Sequence, residues 1–332
     1  MTKFTNAVNR IEQPCPPIWM MRQAGRYQPS YMEIKQKYNF EQMCKLPRVA
    51  ADVAMLPIKE FDFDAAILFS DILWHVEGLG IPVKFDPAPK FEFNLTEDNW
   101  KDHSDFRQAM DHLKFQQTAI ALTRDLLPSS KSLIGFIGGP WSVLNYALGT
   151  NKVSSEFKTM YLKEVIIPLM ARSIRAQKKA GADVVMIFDS GLHNISKKYY
   201  ETVYLPILQE LCDIGNVGYY SRALPNGSLP KVKKMNWCGI GIDSSENLPK
   251  TLQTHKNGFV QGNFDESYML LENKLYHYEL DKWLDTLDGV DTTGWICGLG
   301  HGIYKTTPPA NVQYFIDTVR NKSLAFRFLD LQ

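Results

Sequence analysis

Short apolar runs recur along the chain, and each stops at a polar or glycine-rich cluster. Ile18-Trp19-Met20-Met21 runs into Arg22-Gln23-Ala24-Gly25-Arg26, and Ala65-Ala66-Ile67-Leu68-Phe69 into Ser70-Asp71. Leu133 to Ile137 ends at Gly138-Gly139-Pro140-Trp141, and Val184 to Phe188 at Asp189-Ser190. Further runs lie near Val217–Tyr220, Gly239–Ile242, Phe259–Gln261 and Trp295–Cys297, the last followed by Gly298-Leu299-Gly300-His301-Gly302. These runs are nearly continuous rather than alternating, as in strands whose two faces are both buried.

Helical spacing fills the gaps. It predicts helices over about Ser30–Lys45, from Pro47 onward, over 106–127 closed by Pro128, and over 154–179 with a kink at Pro168. More follow at about 197–213, 246–254, 268–286 and 309–328. Residues 1–13 read as a polar arm, and 84–105 as a long excursion or small hairpin. Strands alternating with helices imply parallel pairing through right-handed crossovers. Eight such units suggest a closed (β/α)8 barrel in one domain spanning 1–332, with an open doubly wound sheet as the competitor. In a barrel, the clusters that end the strands share the C-terminal face, where such enzymes place their sites.

Composition narrows the function classes. A net charge of +1 gives no reason to expect nucleic acid. No run is long enough to span a bilayer, and Met1 to Asn9 lacks the apolar core of a signal peptide. The five cysteines are scattered, without a CxxC pair, which fits reduced thiols in a cytoplasm. The phosphate-loop, dinucleotide and serine-elbow patterns are absent. Cys297 and His301 lie close together, but no His-x-Cys pair or second cluster completes a zinc site, so no metal is expected.

Several residues could carry chemistry. Arg22 and Arg26 follow the first apolar run, and a guanidinium fork grips carboxylate or phosphate in bidentate fashion. Gly25 between them lets the backbone approach a ligand. The plainer role for both arginines is surface ion pairing. Asp71 follows a buried run and needs partners there, though an aspartate so placed can simply cap the next helix or loop. His301 between glycines, Ser190 after its strand, and Tyr146 one turn beyond Gly-Gly-Pro-Trp are further candidates. Each also has an ordinary role as a loop histidine, a cap or a packed phenol.

The longer motifs are more specific. PPIWMMRQAGRYQPSY, FDFDAAILFSDIL, LIGFIGGPWSVLNY, VMIFDS, VQGNFD and GLGHGIYKTTPPANV occur in this order between Pro16 and Val312. Together they resemble the uroporphyrinogen decarboxylase family of haem biosynthesis. The resemblance implies a (β/α)8 barrel that forms a homodimer. It implies removal of the carboxyl groups of four acetate side chains of uroporphyrinogen, without metal or organic cofactor. It places Arg22, Gln23, Ala24, Gly25, Arg26, Asp71, Tyr146, Ser190 and His301 in substrate binding. Ile67 and Phe136 would pack on the tetrapyrrole, and Asp71 and Arg22 would act in catalysis. Such a substrate carries many carboxylates and four inward pyrrole N–H groups. Arginines suit the former, and a single carboxylate can accept the latter. The histidine would titrate near neutrality. The chain departs from the family pattern at Gly191–His193, Tyr220–Leu224, Ser244 and Gly298. A cobalamin-linked methyltransferase on the same barrel would need the missing zinc ligands. A non-catalytic tetrapyrrole-binding protein could keep the arginines without Asp71.

Overall fold

The computed structural model describes residues 1–222 and 224–329, and side chains through Lys322. Among the described residues seven parallel strands form one sheet: β1 (Ala65–Ile67), β4 (Ser132–Gly138), β5 (Val184–Phe188), β6 (Val217–Tyr220), β7 (Gly239–Gly241), β8 (Phe259–Phe264) and β9 (Trp295–Leu299). They neighbour one another in sequence order, as successive right-handed crossovers require. The excursion is a hairpin, with β2 (Val83–Phe85) antiparallel to β3 (Pro89–Phe91).

The eighth position belongs to the first apolar run, reduced to a single bridge between Ile18 and Cys297. Trp19 N–H donates to Cys297 O at 3.0 Å, and Cys297 N–H to Pro17 O at 2.9 Å. On the other side Asp64 N–H donates to Ile18 O at 3.0 Å, and Ile18 N–H to Asp64 Oδ2 at 2.8 Å. These bonds join the two edges of the sheet, so the barrel closes with a short first staple instead of a full strand. Gly298 belongs to the closure. A Cβ there would stand 2.2 Å from Trp19 O, so only glycine lets β9 and the staple approach.

Residues 1–13 are not merely a polar arm. Lys3–Val8 is a helix capped by Thr2, with Phe4 and Ala7 buried. Phe4 packs on Phe259 at the start of β8, and the Thr2 hydroxyl bonds Ser132 at the start of β4. The helix therefore covers the N-terminal end of the barrel. There buried Asp64 is flanked by Lys3, Lys131 and Arg320 at 3.6–3.9 Å.

Several predicted helices are broken for local reasons. Ser30–Lys45 divides into Pro29–Lys37 and Phe40–Lys45, the second opened by an Asn39–Gln42 capping box. The 106–127 segment divides at Leu113. Pro168 and Pro206 each follow a π-helical turn, Leu162–Ile166 and Tyr200–Tyr204. A proline has no N–H for the helical ladder, and a wide turn before it absorbs the missing bond. Among the described residues, no helix is long and apolar enough to cross a membrane.

Candidate active site

Because the strands are parallel, the loops after them open on one face. Arg22 after the staple, Asp71 after β1, Ser190 after β5 and His301 after β9 therefore stand at the same end of the barrel. Aromatic side chains connect these loops. Phe136 of β4 packs on Phe188 of β5 with ring centroids 5.5 Å apart. Phe188 meets Trp19 at 6.4 Å and Tyr220 of β6 at 6.1 Å, and Tyr220 stacks on His301 at 6.0 Å. Ile67 is half-buried at the end of β1.

The arginine loop is held from beneath. Gln23 is fully buried, and its Nε2 donates to Ala65 O of β1 at 2.8 Å. Tyr27 Oη donates to Gln23 O at 2.6 Å. The Gln23 side chain is thus committed to the scaffold, while Arg22 and Arg26 stand exposed and Ala24 and Gly25 half-buried. Arg22 adopts φ +61°, a left-handed conformation unusual for a side chain of this size and often found at functional positions. Its stem lies on Gly302, where a Cβ would come within 2.5 Å of Arg22 Cδ. Neither Arg22 nor Arg26 forms an ion pair among the described residues, so the surface-pairing role is not the one taken here.

Asp71 is half-buried, and its Oδ1 accepts Leu73 N–H at 2.9 Å. One oxygen thus fills the capping role and fixes the plane of the group. Burial raises its pKa, against the Leu73 N–H and the charge of Arg22, which pull it down. Donors from a ligand would favour the ionised form further.

His301 does not titrate near neutrality. Burial, then the charges of Arg22 and Arg222, push it down to about 4. Its Nδ1 lies 2.9 Å from Tyr220 Oη, which donates to Gly300 O at 2.9 Å. A phenol has one proton and the carbonyl can only accept, so Nδ1 carries the imidazole hydrogen. Burial likewise drives His75 and His255 down to about 4. All three are neutral in the fold, whereas an unfolded histidine takes a proton near pH 6.5. Stability from these groups is therefore complete above that pH and falls as pH drops toward 4. Urea midpoints are expected to decline between pH 7.5 and pH 5, with the decline reduced in His75→Gln. A flat profile across that window would contradict the assignment.

Ser190 is exposed, with no hydrogen bond to its hydroxyl among the described residues. Tyr146, on the helix Pro140–Leu148, is also exposed and touches Phe91 of the hairpin. Trp141 and Asn145 of that helix bond Asn194 and Gly191 of the loop beyond Ser190. Among the described residues, no three histidine, cysteine or acidic side chains gather as a metal site.

With this geometry, the comparisons are decisive about lineage. The family model for uroporphyrinogen decarboxylase (URO-D) matches residues 1–322. The chain belongs to the uroporphyrinogen decarboxylase family. It is 35% identical to the uroporphyrinogen decarboxylase of Orientia tsutsugamushi, covering 97% of this chain and 98% of that one. It is 33% identical to that of Geotalea daltonii, over 97% and 99%. Among solved structures, a methyltransferase from Methanosarcina mazei superposes with a TM-score of 0.78 over 97% of this chain and 99% of that one, at 17% identity. That likeness bears on the barrel alone.

Three site elements escaped the sequence reading. Phe188 and Tyr220 looked like ordinary strand residues, yet they link the aromatic floor to His301. Asp189 looked like one polar residue among several. It is fully buried and accepts Tyr204 Oη at 2.5 Å, Ser142 Oγ at 2.7 Å, Ser142 N–H at 3.1 Å and Tyr219 Oη at 3.2 Å. Burial raises its pKa despite these donors. Gly139 accommodates it, since a Cβ there would lie 2.1 Å from Asp189 Cγ. An acid directly after a buried strand, opposite a Gly-Gly pair, was the available signal. Of the departing segment after β6, Ala223 lies outside the described residues.

Proposed function

We propose that the protein is a carboxy-lyase that converts uroporphyrinogen to coproporphyrinogen, acting as one domain and as a homodimer in the cytoplasm. Asp71 carries this reading. It stands with a fixed orientation at the mouth of the barrel, unpaired by any cation within 4 Å among the described residues. A macrocycle seated over it would point its pyrrole N–H groups at the carboxylate. Arg22 and Arg26 would take peripheral carboxylates, Ser190, Tyr146 and His301 would contact the substrate, and Ile67 and Phe136 would pack on the ring.

The chemistry then follows from charge. A proton adds to a pyrrole carbon and makes the ring cationic. The bond between the side-chain methylene and its carboxylate breaks, carbon dioxide leaves, and the electron pair flows into the ring and neutralises it. The methylene next takes a proton and the ring carbon returns one, so a hydrogen replaces the carboxyl group. The substrate is its own electron sink, so no cofactor is required. The charge of Asp71 stabilises the cation more than the neutral ground state, and so lowers the barrier. Arg22 flanks the carboxylate; a guanidinium is too weak an acid to give up its own proton readily. His301, neutral with its hydrogen on Nδ1, presents a substrate contact.

Anaerobic incubation with uroporphyrinogen, followed by chromatography of the oxidised products, tests this. Species with successively fewer carboxyl groups are expected, with the same rate after chelation. Unchanged substrate would refute the proposal, and activity lost to chelator but restored by zinc would point to methyltransferase-like chemistry. Light scattering at micromolar concentration should give twice the chain mass of 38.0 kDa. A clean monomer would count against the dimer.

A further inference from the structure

Arg222 follows β6 with only Ser221 between, and its place is fixed. Ser221 is buried, and its Oγ donates to Asp189 O at 2.8 Å, while Asp189 N–H donates to Tyr220 O at 2.9 Å. The root of residue 222 is therefore tied to the end of β5, beside Ser190. Its side chain is exposed and forms no ion pair among the described residues. Two elements far apart in sequence thus bring guanidiniums to one place. Tyr220, two residues before Arg222, stacks on His301, and the stem of Arg22 lies on Gly302 beside that histidine. Two acids face the same region but do not pair with Arg222. Asp243 Oδ1 is taken up by Ser245 N–H and Oγ, and Glu266 is buried. Converging cations without a matched acid repel one another, and an anionic ligand relieves the repulsion.

We propose that Arg222 is a third carboxylate-gripping arginine of this mouth, holding a side-chain carboxylate of the tetrapyrrole together with Arg22 and Arg26. The identity of the ligand rests on the decarboxylase reading; the convergence of the guanidiniums does not. The ordinary alternative is a solvated arginine that touches no ligand.

The test compares wild type, Arg222→Ala, Arg222→Lys and Arg107→Ala. Arg107 is an exposed control in a separate cleft with Phe106, Met110, Asp111 and Arg172. Affinity for uroporphyrinogen is measured anaerobically by quenching of protein fluorescence at two salt concentrations, and turnover is measured in parallel. Loss of one charged contact should weaken binding and raise KM roughly ten-fold in Arg222→Ala. Its kcat should stay within about two-fold, because the grip is alike in ground and transition states. Arg222→Lys should recover part of the affinity, with the charge but not the fork. The salt dependence of binding should be shallower in Arg222→Ala, and Arg107→Ala should match wild type. Wild-type affinity in Arg222→Ala overturns the proposal, as does a loss of kcat at unchanged affinity. A wild type that binds without converting removes the decarboxylase reading and leaves the binding comparison valid. A wild type that neither binds nor converts overturns both.

Discussion

Asp71→Asn is expected to reduce kcat by on the order of 100-fold or more while leaving substrate affinity nearly unchanged. The amide keeps the shape of the carboxylate and can still accept Leu73 N–H, which orients Asp71. What it lacks is charge. Removing charge costs little where the substrate is neutral at its centre and much where the ring has become a cation. Arg26→Ala should behave in the opposite way. Arg26 is exposed and forms no ion pair among the described residues, so its contribution is a carboxylate grip that barely changes along the reaction, and its loss should appear mainly in KM. Steady-state kinetics on the two variants separate the roles. A folded Asp71→Asn protein with near-normal kcat would show that the carboxylate only caps its loop.

Asp189→Ala is expected to produce the largest loss of stability. The substitution leaves the Tyr204 and Tyr219 phenols, the Ser142 hydroxyl and the Ser142 amide facing a buried gap. Stranded buried donors and the breaking of a buried network should together cost roughly 3–5 kcal/mol. For a chain of this length that lowers Tm by only about 5 °C, because the unfolding entropy is large. Asp189→Asn should not rescue fully. Tyr204 Oη already accepts Trp141 N–H at 2.9 Å, so its own proton needs the acceptor that an amide NH2 would displace. Thermal unfolding of the two variants checks this, and an Asp189→Ala protein as stable as wild type would contradict it. Because Asp189 precedes Ser190 and anchors Ser142 at the start of the Pro140–Leu148 helix, activity should fall along with stability.

The strands were legible because burial on both faces writes them as plain apolar words, Val184 to Phe188 being the clearest. Their order and parallel pairing followed from the helices between them. The staple at Ile18 was legible as an apolar run but not as a single bridge, since its partners, Cys297 and Asp64, come from distant parts of the chain. The helix Lys3–Val8 was missed because six residues with two buried positions carry too little pattern, and its burial depends on β4 and β8. The π turns are local, but only Pro168 was read as a kink, not the way the chain would absorb it. At the site, Arg22, Asp71, Ser190 and His301 could be placed on one face because strand ends share a face in a barrel. The environment of each could not be placed. That His301 is neutral depends on its burial and then on the charges of Arg22 and Arg222, which are brought to it from distant parts of the chain. Asp189 gains its meaning from Ser142 and Tyr204 in the same way.

The central claim is that the Asp71 carboxylate sits beneath the centre of the macrocycle. The most direct measurement is a crystal structure of the protein with coproporphyrinogen, grown anaerobically. The pyrrole nitrogens should lie about 3 Å from the Asp71 carboxylate oxygens, with ring carboxylates on Arg22 and Arg26. A tetrapyrrole bound elsewhere, or at this mouth with its nitrogens turned away from Asp71, would contradict the account.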